Sequence, residues 1–181
     1  MGIKDATKNV LAQALDDLLK TTPMQKVSVK SLCAQCGAER QTFYYHFKDK
    51  YDLATWMLFR DWDTALEQFG GNYSREQLTA YLETIRGHQL FYRRLYNDEM
   101  NALLPKFIFQ QEAERIRALV AEKLGTAQLS ETQELAVLFY VNGCIGTVIS
   151  WAHSGYRTPP EYLAGLHYSM LDSLLRDVRG M

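Results

Sequence analysis

Apolar residues return every three to four positions along most of this 181-residue chain, and the period-two alternation of strands is missing. The pattern predicts an all-α protein. Residues 3–20 form the first helix, with Val10, Leu11, Ala14, Leu15, Leu18 and Leu19 as its apolar stripe and Pro23 beyond its end. Ser28 is placed to cap a short second helix that stops at Gly37. Another short helix covers residues 38–47. A longer one starts near Lys48, carries Leu53, Trp56, Met57 and Phe59, and breaks at Gly70, Gly71 and Asn72. Ser74 caps the next, which runs through Leu78, Leu82 and Ile85 to about Tyr96. After a loop over residues 97–101, one or two helices reach Leu124 and stop at Gly125. A long helix from Ser130 to His153 and a last one opening at Pro159 and Pro160 complete the chain.

The long helix near the C-terminus is unusual. Residues 135–156 hold no Asp, Glu, Lys or Arg, a length sufficient for a bilayer span. Asn142, Ser150 and His153 interrupt it, and the remaining sequence is ordinary globular chain, so a helix covered by protein is expected rather than a membrane segment. One flank would pack on the body. The other, where Gly143 and Gly146 permit close approach, would meet a partner chain together with the last helix, residues 162–178.

Composition adds little to this, but the placement of charge adds more. Apolar residues at 47% and charged residues at 23% describe a folded chain rather than a disordered one. The net charge is −1, yet residues 1–50 carry eight basic against five acidic side chains, a net +3, while the other 131 carry twelve against sixteen, a net −4. A basic end on an acidic body suits a polyanion at that end only. Cys33, Cys36 and Cys144 are few and odd in number, and residues 1–11 lack the apolar core of a signal peptide. Both features lead to the expectation of a reducing, cytoplasmic setting. No nucleophile–base pair, metal-ligand cluster or Gly-rich phosphate loop is evident, so no enzyme activity, metal or cofactor is assigned.

Residues 28–47 carry the densest chemistry. Leu32, Cys33 and Cys36 share one face of a short helix, and Gly37 offers the positive φ of a tight inter-helix turn. Phe43 and Phe47, four apart, give the following helix a buried side. Its other side carries Arg40, Gln41, Thr42, Tyr44, Tyr45 and His46. Arg and Gln suit bidentate contacts to base edges, while hydroxyl, imidazole and ammonium groups suit phosphates. Cys33 and Cys36 form a C-x-x-C, for which a redox switch or metal site is one reading. Without a second pair, thiols packed in a small core are the expected one.

The run Thr42-Phe43-Tyr44-Tyr45-His46-Phe47-Lys48-Asp49-Lys50, after Cys36-Gly37 and before Asp52-Leu53, resembles the DNA-binding region of the tetracycline-repressor (TetR) family. The likeness is specific over residues 4–55 and rests on helical layout and length beyond them. Ala38 stands where Val is common, Glu39 where Ser or Thr is common, and Cys33 and Cys36 where small residues are common. Glu39 would either accept from a cytosine amino group or cap the helix. By position, the resemblance implies that Ser28, Thr42, Tyr44, His46 and Lys50 grip phosphates and that Arg40, Gln41 and Tyr45 face base edges. Lys30 and Lys48 are further phosphate contacts.

The resemblance implies a three-helix helix-turn-helix domain over residues 1–50 and a helical dimerisation and effector domain over 51–181. The whole would be a bacterial homodimer, paired through its last two helices on a palindromic double-stranded operator, as repressor or activator. An effector, small molecule or protein, would bind the aromatic-rich stretch from Trp56 to Phe109 and its surroundings, with His88, Tyr92, Asn142 and His153 as polar candidates. Residues 40–44 with Leu53-Ala54-Thr55-Trp56, Phe91-Tyr92, Trp151 and Gly155 are similar to the branch that includes regulators of dihydroxyacetone kinase operons. An interaction protein of the same fold that no longer holds DNA tightly is the alternative, and Glu39 is the residue that suggests it.

Overall fold

A computed structural model describes residues 3–70, 73–96 and 104–180; the loop expected at 97–101 lies outside them. The fold is all-α. The described residues form α1 (Ile3–Leu19), α2 (Val29–Cys36), α3 (Arg40–His46), α4 (Lys50–Gln68), α5 (Arg75–Gly87), α6 (Gln89–Tyr96), α7 (Leu104–Leu124), α8 (Glu131–His153) and α9 (Pro160–Asp177). The helix expected over residues 74–96 is two helices. Gly87, a poor helix former, and His88 (φ −101°, ψ 32°) break it, and α6 then turns its Tyr92 towards α4.

The N-terminal helices form a helix-turn-helix. Ser28 caps α2 as expected: its hydroxyl accepts from the Ser31 N–H at 3.0 Å while the Ser31 hydroxyl accepts from the Ser28 N–H. Gly37 ends α2 at φ 68°, a left-handed conformation open to glycine at little cost. Helix α3 has seven residues, too few to persist alone. Burial of Phe43 and Phe47 against Leu11, Leu15, Leu32 and Leu53 holds it in place, each ring contributing roughly 1.5–3 kcal/mol. Cys33 is buried in this cluster, and the half-buried Cys36 thiol donates to the Leu32 carbonyl at 3.4 Å. Both are free thiols, and burial pushes the Cys33 thiol pKa up. Val10, expected in the α1 stripe, faces solvent, and Ala12 takes an inward position.

Helix α4 starts two residues later than Lys48 because Asp49 caps it, accepting from the Tyr51 and Asp52 N–H groups, while Asp52 reaches back to the Lys48 N–H at 2.9 Å. Leu53, Ala54, Met57, Leu58 and Trp62 of α4 belong to one apolar cluster that runs from Leu11 and Leu15 of α1 to Leu78 and Leu82 of α5 and Trp151 of α8. A second cluster joins Ile116 and Val120 of α7, Val137, Tyr140 and Val141 of α8, and Leu171 and Leu174 of α9. Helix α8 is long and apolar enough to cross a membrane. Its Val137, Tyr140, Val141, Trp151 and Ala152 are nevertheless buried by the chain, and Glu134 in its first turn pairs with Arg117 of α7 at 2.9 Å.

Lys50 ties the turn before α2 to the start of α4. Its ammonium donates to the carbonyls of Met24 (2.7 Å), Gln25 (3.0 Å) and Val27 (2.8 Å). Lys50→Met, which keeps the stem and removes the donors, is expected to destabilise the chain by about 2 kcal/mol and lower Tm by roughly 4–8 °C in calorimetry. An unchanged Tm would show that these bonds contribute nothing.

Candidate functional site

Two features of the surface and interior lend themselves to function: the outer face of α3 and a cavity among α4, α5, α7, α8 and α9.

On α3 the buried side is Phe43, followed by Phe47 at the helix end, so the sequence spacing leaves Arg40, Gln41, Tyr44 and Tyr45 exposed and Thr42 and His46 at the margins. Tyr44 and Tyr45 are 56% and 68% exposed, large for aromatic rings. The Tyr45 and His46 rings stand edge to face at 4.9 Å, and the Tyr44 and Phe43 rings likewise at 5.6 Å, which stiffens the row. Lys30 on α2 and Lys48 after α3 are exposed. Among the described residues no carboxylate pairs with Lys30, Arg40 or Lys48. Ser28 is exposed, with its hydroxyl engaged in the α2 cap.

Two expected roles look different in three dimensions. The three Lys50 donors are engaged by backbone carbonyls, so this side chain braces the helix-turn-helix from within. Glu39 occupies the N-cap position of α3, but its side chain makes no capping hydrogen bond and stays exposed. Of its two readings, capping is not what the structure shows.

The cavity has a volume of about 80 Å³. Leu58, Phe59 and Trp62 of α4, Leu78 and Leu82 of α5, Ile108 and Ile116 of α7, and Val141, Ile145 and Val148 of α8 give it apolar walls. One side is polar. Tyr140 donates to the His167 carbonyl at 3.2 Å, so the 3.4 Å contact between the Tyr73 and Tyr140 hydroxyls has Tyr73 as donor. Thr147 gives its hydrogen to the Cys144 carbonyl, and the 2.6 Å contact with His167 then needs Nε2–H of the imidazole to donate. Burial pushes the His167 pKa down to about 4 and the Cys144 thiol up to about 11, and raises both tyrosines. Glu112 of α7 also lines the cavity. Burial raises its carboxyl to about 7 against the lowering influence of Arg115, with Asp63 adding to the rise.

None of the four polar positions expected to hold an effector lines this cavity. His88 is exposed at the α5–α6 break, 3.7 Å from Asp61. Tyr92 is fully buried and donates to Asp61 at 2.9 Å. Asn142 is exposed on α8 and donates to the Leu138 carbonyl one turn back, and His153 is exposed at the end of α8. A histidine or amide on a helix is equally compatible with either face, and packing put these outward. The residues missed were Glu112 and His167. The available signal was an acid at the four-residue spacing of Ile108, Glu112, Ile116 and Val120, and a histidine within Leu163, Ala164, His167, Leu171 and Leu174. In both cases a polar group sits on an apolar stripe.

Asp61, buried in α4, collects a further set of bonds. It accepts from Arg60 Nε and Nη2 and from Tyr92 of α6, while Arg60 Nη1 also donates to Asn9 of α1 at 3.3 Å. Arg94 of α6 donates to the Lys20 carbonyl just beyond α1 at 3.4 Å. Helix α6 is thereby bonded to both α4 and the end of α1.

Comparison with known proteins agrees with this architecture. A family model described as "Bacterial regulatory proteins, tetR family" matches residues 10–55, and one described as "Transcriptional regulator C-terminal region" matches residues 72–173. The chain is similar to the HTH-type dhaKLM operon transcriptional activator DhaS of Lactococcus lactis subsp. lactis (strain IL1403), at 26% identity over 117 residues. That match spans 59% of this chain and 63% of the relative, less than two thirds of its length. Among solved structures, the dihydroxyacetone kinase operon activator DhaS superposes with a TM-score of 0.66 at 18% identity, covering 94% of this chain and 96% of that one. The fatty acid degradation regulator FadR from Bacillus halodurans gives a TM-score of 0.56 at 13% identity, covering 94% and 95%. These structural likenesses show the fold. With the helix-turn-helix matched at one end and more than half the chain matched beyond it, this protein belongs to the TetR family of bacterial transcriptional regulators.

Proposed function

We propose that the protein is a sequence-specific DNA-binding regulator that acts as a homodimer on a palindromic operator and responds to an effector. Residues 1–50 read DNA, and residues 51–181 form the dimer and sense the effector. The observation that carries this reading is the outer face of α3, where donors and two exposed tyrosines stand on a helix locked from behind by Phe43 and Phe47. Arg40, Gln41 and Tyr45 face base edges; Ser28, Lys30, Thr42, Tyr44, His46 and Lys48 hold phosphates. Lys50 supports that face rather than gripping phosphate with its engaged ammonium.

A second feature supports the dimer. Leu135 and Phe139 of α8 are 60% and 84% exposed, with Asn142, Gly143 and Gly146 exposed further along the same helix, and Tyr162, Leu166 and Met170 of α9 are exposed as well. An apolar area of this kind on two adjoining helices is suited to self-pairing about a two-fold axis. A ligand in the cavity would press on α4, which also packs on α1 and bonds to α6. The bonds of Asp61 and Arg94 would carry the shift to the DNA-reading helices. The likeness to DhaS, named as an operon activator, supports placing the chain in that branch. Glu39, exposed and uncapped at the start of α3, favours the second reading, a co-regulator of this fold that has given up tight DNA binding.

A panel of genomic fragments titrated at several salt concentrations separates the two readings. A DNA-binding dimer loses affinity steeply with salt, whereas the co-regulator shows no salt-sensitive binding to any fragment. On the selected operator, Arg40→Ala is expected to cost about 1–3 kcal/mol and relax preference at its base pair. Lys48→Ala should weaken all sequences alike and reduce the salt slope. Equal effects of both substitutions on every sequence would reverse these assignments. Phe139→Asp is expected to convert the dimer to monomer in analytical ultracentrifugation and to lower operator affinity at least about tenfold; a dimer that persists places the interface elsewhere.

A further inference from the structure

We propose that the cavity, read above as the sensory site, takes a small protonated amine with a compact apolar body, its ammonium paired with the Glu112 carboxylate. The other polar groups of the wall are already engaged with one another. The Tyr73 hydroxyl donates to Tyr140, Tyr140 donates to the His167 carbonyl, and the His167 ring is bound to Thr147. These groups satisfy one another. Glu112 is the one acidic or basic side chain besides His167 among the described lining residues, and no hydrogen bond reaches it from the described residues. The nearest cation, Arg115, donates to Asp63 at 2.9 Å, and its guanidinium lies over the Phe59 and Trp62 rings.

A carboxylate held in an apolar wall without a hydrogen-bonded counter-charge is an expensive arrangement in the empty protein, and its raised pKa reports that cost. A ligand ammonium supplies what is missing. The rings of Tyr73 and Tyr81 in the same wall favour a cation further. An anion meets the charges of Glu112 and Asp63, and a polyol leaves most of its hydroxyls against Leu, Ile and Val. The Trp62 Nε1–H, buried without a partner, leaves room for one acceptor on the ligand body. A volume of about 80 Å³ has space for roughly five to eight water-sized groups, which limits the ligand to a small ring or short chain.

The test uses three probes of one shape: benzylamine, benzyl alcohol and benzoate, titrated calorimetrically into the full chain and its Glu112→Gln variant. Benzylamine is expected to bind the native chain and raise its Tm. Glu112→Gln should weaken benzylamine by about thirtyfold or more and leave benzyl alcohol within about threefold. The native chain also carries a test without substitution. Glu112 is faced by Arg115 from its own helix, Asp63 from α4, Tyr73 before α5, Tyr140 and Cys144 from α8 and His167 from α9. Glu112 changes charge near neutrality, while burial moves His167 and Cys144 away from it, so benzylamine affinity should fall as pH drops below about 7, by up to about tenfold per unit, and stay level in the variant. Folding of the variant is checked by Tm. A carboxyl raised to about 7 contributes stability that is lost as pH rises through that value, so Glu112→Gln should gain on the native chain at pH 8 and not at pH 5.

Benzyl alcohol or benzoate binding as tightly as the amine overturns the proposal, as does benzylamine binding that survives Glu112→Gln, or no binding of benzylamine at millimolar concentration. Operator affinity measured in the same solutions keeps the two readings apart. Glu112-dependent amine binding with unchanged DNA affinity overturns the sensory reading and leaves the ligand class standing. A shift in DNA affinity with benzyl alcohol and not with benzylamine does the reverse.

Discussion

The packing of α4 on α1 at one end and on α5, α7 and the cavity at the other constrains everything else in this molecule. Leu53, Ala54, Met57, Leu58 and Trp62 sit in a single apolar cluster that holds Leu11 and Leu15 at one extreme and Leu78, Leu82 and Trp151 at the other. A close-packed interior does not deform continuously, so the proposed coupling of the body to the helix-turn-helix would run through α4. The short α3 depends on the same cluster, because without the burial of Phe43 and Phe47 its seven residues would not hold a helix.

Polar groups inside the chain refine this scheme. Asp61 is buried, and Arg60 and Tyr92 together supply the donors that such a carboxyl group needs. The bonds run from α4 to α6 and, through Arg60 and Asn9, to α1. Glu112 is the contrasting case. It is half-buried, its nearest cation, Arg115, donates to Asp63 through one nitrogen, and its carboxyl is shifted to about 7. The first carboxylate joins helices; the second faces a cavity. The distinction lies in which donors surround each group and not in the residue type.

The lysines show the same dependence on surroundings. Lys48 and Lys50 are two residues apart in one basic stretch, and position alone assigned both to phosphates. Lys48 is exposed, while Lys50 turns inward to three carbonyls of the turn before α2. Three carbonyls of the turn lie within reach of one ammonium, whose three N–H donors match them in number.

The sequence by itself determined the helical class, most of the helix limits and the helix-turn-helix. Those follow from local rules: periodicity of apolar residues, Ser28 and Ser74 as caps, Gly37 where a positive φ is required, and Phe43 and Phe47 spaced to bury one side of α3. The break at Gly87 and His88 was missed because one glycine in a periodic stretch is tolerated as often as it breaks a helix. Only the tertiary structure decided which polar residues turn inward. His88, Asn142 and His153 lie on the outside and Glu112 and His167 on the inside, although a single-sequence reading made the first three the candidates. Facing is set by what packs against a helix from elsewhere in the chain. Local sequence carries the period of a helix surface, and the partners from distant segments choose which part of it is covered.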